Sequence, residues 1–106
     1  MSFPDDEMHE TVTLKPRTGV GAYGPQFGQE YEETCYLEPG FKLITDSTGQ
    51  EVVASLFGIF RAECSLQVAD EIVWNEQTYR AIAVDGLRFN GASHHVEAYF
   101  GSVATG

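Results

Sequence analysis

The apolar positions of this 106-residue chain fall mainly in short runs that alternate with polar ones, the spacing of half-buried strands. Thr11-Val12-Thr13-Leu14-Lys15 is the first, and Pro16 ends it because proline brings no amide to a ladder. Residues 30–38 form the second, with Tyr31, Cys35 and Leu37 on one face; Glu33 interrupts that face and puts the strand's start at a rim. Pro39-Gly40 reads as a turn, and residues 41–45 as a third strand. Asp46-Ser47-Thr48-Gly49 is a compact turn whose glycine tolerates positive φ, and it joins the third strand to a long fourth one over residues 50–61. After a connector over 61–69, residues 71–74 and 78–85 flank a short hairpin loop at Asn75-Glu76-Gln77. A helix across this stretch is the alternative, but Ile72, Val73, Tyr79, Ile82 and Val84 favour strand. Asp85-Gly86 and Asn90-Gly91 are two further turn signals. In the last run, Val96, Ala98 and Phe100 point inward and His95, Glu97 and Tyr99 outward.

Three segments lack periodicity. Residues 1–9 read as a flexible acidic arm with Asp5, Asp6 and Glu7, and residues 102–106 as a flexible tail of small residues. Residues 17–28 hold four glycines, Gly28 included, together with Pro25, and read as one long irregular loop. Six or seven short strands without a helix predict an all-β fold, a small antiparallel β-barrel with long loops over residues 10–101.

The fourth strand is apolar on both faces. Val52, Ala54, Leu56 and Phe60 lie on one side, and Val53, Phe57 and Ile59 on the other. One set lines the core. The second needs cover, either from another element or from a partner subunit, so Val53, Phe57 and Ile59 are the candidate subunit interface.

Charge narrows the partners. Sixteen Asp and Glu against six Lys and Arg give a formal net charge of −10. Nucleic-acid binding needs cations on phosphates, and six scattered ones make no patch. An acidic surface keeps the protein soluble, and it also lets DNA slide past. No run approaches the roughly 18 apolar residues of a membrane span, and the N-terminus has no basic and apolar regions of a signal peptide. A cytoplasmic birthplace and free, buried Cys35 and Cys64 are expected.

Chemistry-bearing motifs fail on context. Gly19-Val20-Gly21-Ala22-Tyr23-Gly24 spells G-x-G-x-x-G, but that fingerprint works only where a strand opens into a helix, and Pro25 follows here. His94 and His95 are adjacent and would point to opposite faces of a strand, so they do not chelate one metal. No spacing singles out a carboxylate pair or a nucleophile with its base. No catalytic residue, metal or cofactor is expected.

The order of segments resembles the head–tail connector proteins of long-tailed bacteriophages, in particular the head-completion or stopper group. Four places carry it: Val12-Thr13-Leu14 before the Gly-rich loop; the hairpin from Lys42 to Val53 around Asp46-Ser47-Thr48-Gly49; Val68-Ala69-Asp70-Glu71-Ile72 followed by Thr78-Tyr79-Arg80-Ala81-Ile82; and the closing His94-His95-Val96-Glu97-Ala98-Tyr99-Phe100-Gly101. Ala69 departs from the pattern, since relatives often have Gly in that turn. The resemblance implies a homo-oligomeric ring, commonly of six, between portal or adaptor proteins above and tail-terminator or tail-tube proteins below. Such a ring closes the DNA channel after packaging, offers the tail a docking face, lets genomic DNA pass without sequence-specific contacts, and needs no cofactor or membrane. It also implies assembly in the host cytoplasm and a place in the virion neck. Within that reading Gly19, Val20, Gly21, Tyr23 and Phe27 form the candidate gate or contact loop. A tail-terminator role and an acidic DNA-mimic binding module are the alternatives.

Overall fold

A computed structural model describes residues 10–21, 24–46, 48–61, 64–89 and 92–103. The acidic arm, Tyr23, Asn90-Gly91 and residues 104–106 lie outside them. The described residues form eight strands: β1 (Glu10–Lys15), β2 (Arg17–Gly21), β3 (Gly24–Phe27), β4 (Tyr31–Thr45), β5 (Glu51–Arg61), β6 (Glu71–Trp74), β7 (Gln77–Phe89) and β8 (Ala92–Ser102). Six of them close into an antiparallel barrel in the order β1-β4-β5-β8-β7-β6, with β6 returning to β1. The other two pair with each other as a separate hairpin. The barrel fold is the one expected from the alternation.

Alternation also sets the interior. Val12 and Leu14 from β1, Cys35 and Leu37 from β4, Leu56 and Phe60 from β5, and Val96, Ala98 and Phe100 from β8 pack into one cluster with Ile72 and Ala81. Phe60 and Phe100 meet with ring centroids 6.0 Å apart and planes tilted by 59°. Leu66, from the connector, joins the same cluster. The interior is thus filled by side chains, as in other small barrels, and is not an open pore.

Several local readings are corrected. Pro39-Gly40 does not turn the chain: β4 runs through it, and Pro39 pairs with Leu56 while Lys42 pairs with Ala54. The extra residue is taken up as a bulge, a position where proline's missing donor is tolerated. Asp85-Gly86 likewise lies inside β7, where Gly86 pairs with Val96 of β8. Residues 17–28 are not one irregular loop, since β2 and β3 pair from Arg17–Phe27 to Gly21–Gly24. His95 is not an exposed outward residue: it is buried between Arg61 of β5 and Leu87 of β7, with Nε2 3.2 Å from the Glu97 carboxylate. The tail's first residue, Ser102, belongs to β8. The break that Glu33 makes in its face has a physical partner. Glu33 is buried, and both Nε and a terminal nitrogen of Arg61 reach its Oε1 at 3.0 Å.

The β6–β7 hairpin forms as expected, but its loop is one residue shorter than Asn75-Glu76-Gln77, since Gln77 opens β7 and pairs with Trp74. Asn75 and Glu76 take φ of 51° and 64°, the double left-handed conformation of a two-residue type I′ hairpin. Ala69 is less comfortable. The amide of Asp70 donates to the carbonyl of Gln67 at 3.1 Å, and Ala69 sits at φ 78°, the third position of a type II turn, where glycine is preferred. Ala69→Gly is therefore expected to stabilise the domain by about 1 kcal/mol, relief of the Cβ clash outweighing the added freedom of the unfolded chain. A urea titration reads the gain as a higher midpoint at unchanged slope; a lower midpoint contradicts this turn geometry.

Both cysteines are free. Cys35 is buried in β4, whereas Cys64 is half-buried in the connector and packs against the core. Burial pushes the Cys35 thiol up to about 12 and that of Cys64 up to about 11. An unfolded chain would ionise both from about pH 9, so it binds fewer protons than the folded one above that point. Stability is then complete below about pH 9 and falls as pH rises toward the folded values. Cys35 alone is expected to cost about 2 kcal/mol by roughly pH 10.5. Urea unfolding of wild type and Cys35→Ala across this range isolates that contribution from other alkaline titrations; parallel curves would contradict it.

Candidate functional site

Two features lie outside the closed ladder of the barrel: the β2–β3 hairpin, and the distal part of the β4–β5 hairpin, where the two strands pair with each other and not with β1 or β8. The first carries the candidate gate or contact residues. Gly19, Val20 and Gly21 lie on β2 and Phe27 ends β3. Tyr23 lies outside the described residues. The base of this hairpin is tied down at three points. The Gly28 amide donates to the Pro16 carbonyl at 2.7 Å, and Lys15 Nζ lies 5.9 Å from the centre of the half-buried Phe27 ring. The Arg17 amide donates to Oδ1 of Asp70 at 2.8 Å.

Asp70 is the residue that sequence reasoning passed over. It is buried, and its Oδ2 accepts the Gln67 amide at 2.8 Å. Its own carbonyl accepts the amide of Ala81 on β7 at 2.8 Å. One carboxylate therefore links the first residue of β2 to the connector, while its backbone is fixed to the barrel wall. The only sequence signal was an acid placed directly after a turn and before an apolar strand.

The second feature explains the two-faced character of β5. Ala54, Leu56 and Phe60 are buried on the inner side, Val52 is only half-buried, and Val53, Phe57 and Ile59 alternate with them. The structure does not expose those three equally. Val53 is 58% exposed, Phe57 is half-buried, and Ile59 is only 8% exposed within the single chain, outside the main core cluster. Phe57 packs on Tyr99 of β8, with ring centroids 5.0 Å apart. Lys42 folds back onto the same ring, its Nζ donating to Tyr99 Oη at 3.1 Å and lying 5.1 Å from the ring centre.

Two hollows adjoin Tyr99. One, of about 390 Å³, lies between the end of β4 and the β7–β8 pair and is lined by Ile44, Thr45, Val84, Asp85 and Glu97 as well as Tyr99. The other, of about 350 Å³, is bounded by Glu38, the Pro39-Gly40 bulge, Phe41, Lys42 and Phe57. Among the described residues, no three His, Cys, Asp or Glu side chains gather as a metal-holding group. Gly19, Val20, Gly21 and Gly24 of the G-x-G-x-x-G stretch lie on two paired strands, and the strand that follows opens no helix, so these residues offer no helix N-terminus to a pyrophosphate.

No family model and no curated protein sequence matches the chain. Among solved structures, the fold is similar to that of xkdH, a protein of the phage-like element PBSX from Bacillus subtilis. The TM-score is 0.57 at 18% identity, covering 88% of this chain and 92% of that one.

Proposed function

We propose that the chain is a structural subunit of the neck of a tailed phage. In this reading six copies form a ring between portal or adaptor proteins and the tail terminator or tail tube. The ring closes the DNA channel after packaging and presents the face on which the tail docks. The observation that carries the reading is the shared barrel fold with a protein of a phage-like element over nearly the full length of both chains. The segment order that resembles stopper proteins points the same way.

Physical features give the ring a working logic. The barrel interior is filled by Phe60, Phe100 and their neighbours, so a DNA conduit has to run between subunits and not through one barrel. A net charge of −10 opposes DNA sticking to the wall of that conduit. The β2–β3 hairpin, held at its base by Asp70, serves as the gate or contact element and carries Gly19, Val20, Gly21 and Phe27. Of the proposed seam, Val53 and Phe57 are reachable by a neighbour, while Ile59 is covered within its own chain. The role is mechanical, without catalysis or cofactor, and is exercised in the virion after assembly in the host cytoplasm.

Disrupting the gene in a phage that carries it tests the reading. The expected outcome is filled heads that lose their DNA, with unattached tails beside them. Normal numbers of tailed, infectious particles would overturn it.

A further inference from the structure

The outer end of the β4–β5 hairpin carries the three most exposed of the large apolar side chains among the described residues. Phe41 is 85% exposed, Leu43 60% and Val53 58%. Leu43 and Val53 are direct cross-strand partners, so their side chains form one patch, with Phe41 two residues along β4. Single exposed apolar residues are ordinary; three grouped on one hairpin end mark an interaction surface. Carboxylates frame the group. Glu51 lies two residues before Val53 on β5, and Glu38 shares the hollow of about 350 Å³ with Phe41, Phe57, Tyr99 and Lys42, whose ammonium is engaged by Tyr99 Oη. Both acids are exposed.

We propose that this hairpin end docks a different protein, one that presents apolar side chains within a rim of Lys or Arg. The occupant follows from charge. A second copy of this chain also carries −10, so approach of two copies at this acid-framed patch is opposed. A copy is also poor in cations for a basic rim, because four of its six are already engaged: Lys15, Arg61 and Arg80 are held by Glu30, Glu33 and Glu71, and Lys42 is folded onto Tyr99. A foreign basic partner meets Glu38 and Glu51 with opposite charge, buries Phe41, Leu43 and Val53, and can place a side chain in the hollow beside Phe41. The assignment takes Val53 out of the seam between like subunits. It does not rest on the neck reading.

The test uses the whole chain labelled for NMR and three short synthetic probes: a peptide alternating leucine with lysine, one alternating serine with lysine, and one alternating leucine with glutamate. At roughly physiological salt, where exposed charges are screened beyond about 8 Å, the leucine–lysine peptide is expected to bind at least tenfold tighter than either of the others. Shifted amides should centre on Phe41, Leu43 and Val53. The triple variant F41S/L43S/V53S should lose about tenfold in affinity, and Glu38→Gln with Glu51→Gln should flatten the salt dependence. If the triple variant proves unfolded by circular dichroism, Phe41→Ser alone carries the test, since that ring is almost wholly in solvent. Equal binding of the serine–lysine peptide, or shifts spread over all acidic surfaces, overturns the proposal. So does concentration-dependent self-association of the wild type that F41S/L43S/V53S abolishes, because the patch then serves a second copy.

Discussion

Gly58→Val is expected to destabilise the domain by about 3 kcal/mol, because the barrel has no room for a side chain at that point. Gly58 sits mid-strand in β5, between Leu37 of β4 and Ala98 of β8. A Cβ placed there would lie 2.8 Å from Cε1 of Phe60, 3.1 Å from Cδ2 of Leu37 and 3.2 Å from Cε2 of Phe100. Phe60 and Phe100 are wholly buried and rest against each other, so neither ring can move aside without displacing the other. The cost is one of space and not of backbone conformation, since Gly58 is not among the positive-φ residues. A glycine inside a strand often marks such a close approach. Gly58→Ala should show the same effect at smaller size. Urea unfolding measures both, and a loss below about 0.5 kcal/mol for the valine variant would mean that the core is packed differently.

The second large effect is expected at Asp70. Asp70→Ala removes the acceptor of two backbone amides, Arg17 and Gln67, each bonded at 2.8 Å. Leaving a poorly solvated donor without its partner costs about 1–3 kcal/mol, so the pair amounts to about 3 kcal/mol. The damage should be uneven. The barrel ladders do not depend on this carboxylate, whereas the attachment of β2 does. Hydrogen exchange should therefore speed up at Arg17 and along the β2–β3 hairpin well before β5 and β8 open. Asp70→Asn keeps one accepting oxygen and should recover part of the loss. Uniform faster exchange across the barrel, or none, would contradict a local clamp. In the neck reading this variant also loosens the proposed gate element without touching its residues.

These two positions show what the sequence could and could not convey. The barrel was legible because Val12 and Leu14, Leu56 and Phe60, and Val96, Ala98 and Phe100 alternate with polar neighbours, and that alternation reports burial directly. Pro39-Gly40 and Asp85-Gly86 misled because dipeptide turn signals are local, while the bulge in β4 and the β7–β8 pairing are imposed by partners far along the chain. The β2–β3 hairpin hid behind its glycines, which carry no side-chain pattern to read. Val53, Phe57 and Ile59 were recognisable as a second apolar face. Their unequal cover was not, because it depends on how each is packed by β4 and β8. Asp70 as a clamp was invisible for the same reason: its partner Arg17 is 53 residues away.

The exposed end of the β4–β5 hairpin bears on how such a subunit would join an assembly. It groups the exposed side chains of Phe41, Leu43 and Val53 on a hairpin other than β2–β3, the one anchored by Asp70. A subunit with two separate contact elements can bind unlike neighbours through each. That is a requirement of any piece that joins a head to a tail.

The central claim is best tested by an averaged reconstruction of the head–tail junction of particles assembled with this chain. A neck subunit should appear there as a ring of copies, each fitted by the six-stranded barrel, with the DNA path between subunits and not through a barrel. Particles whose junction is complete without this chain would contradict it.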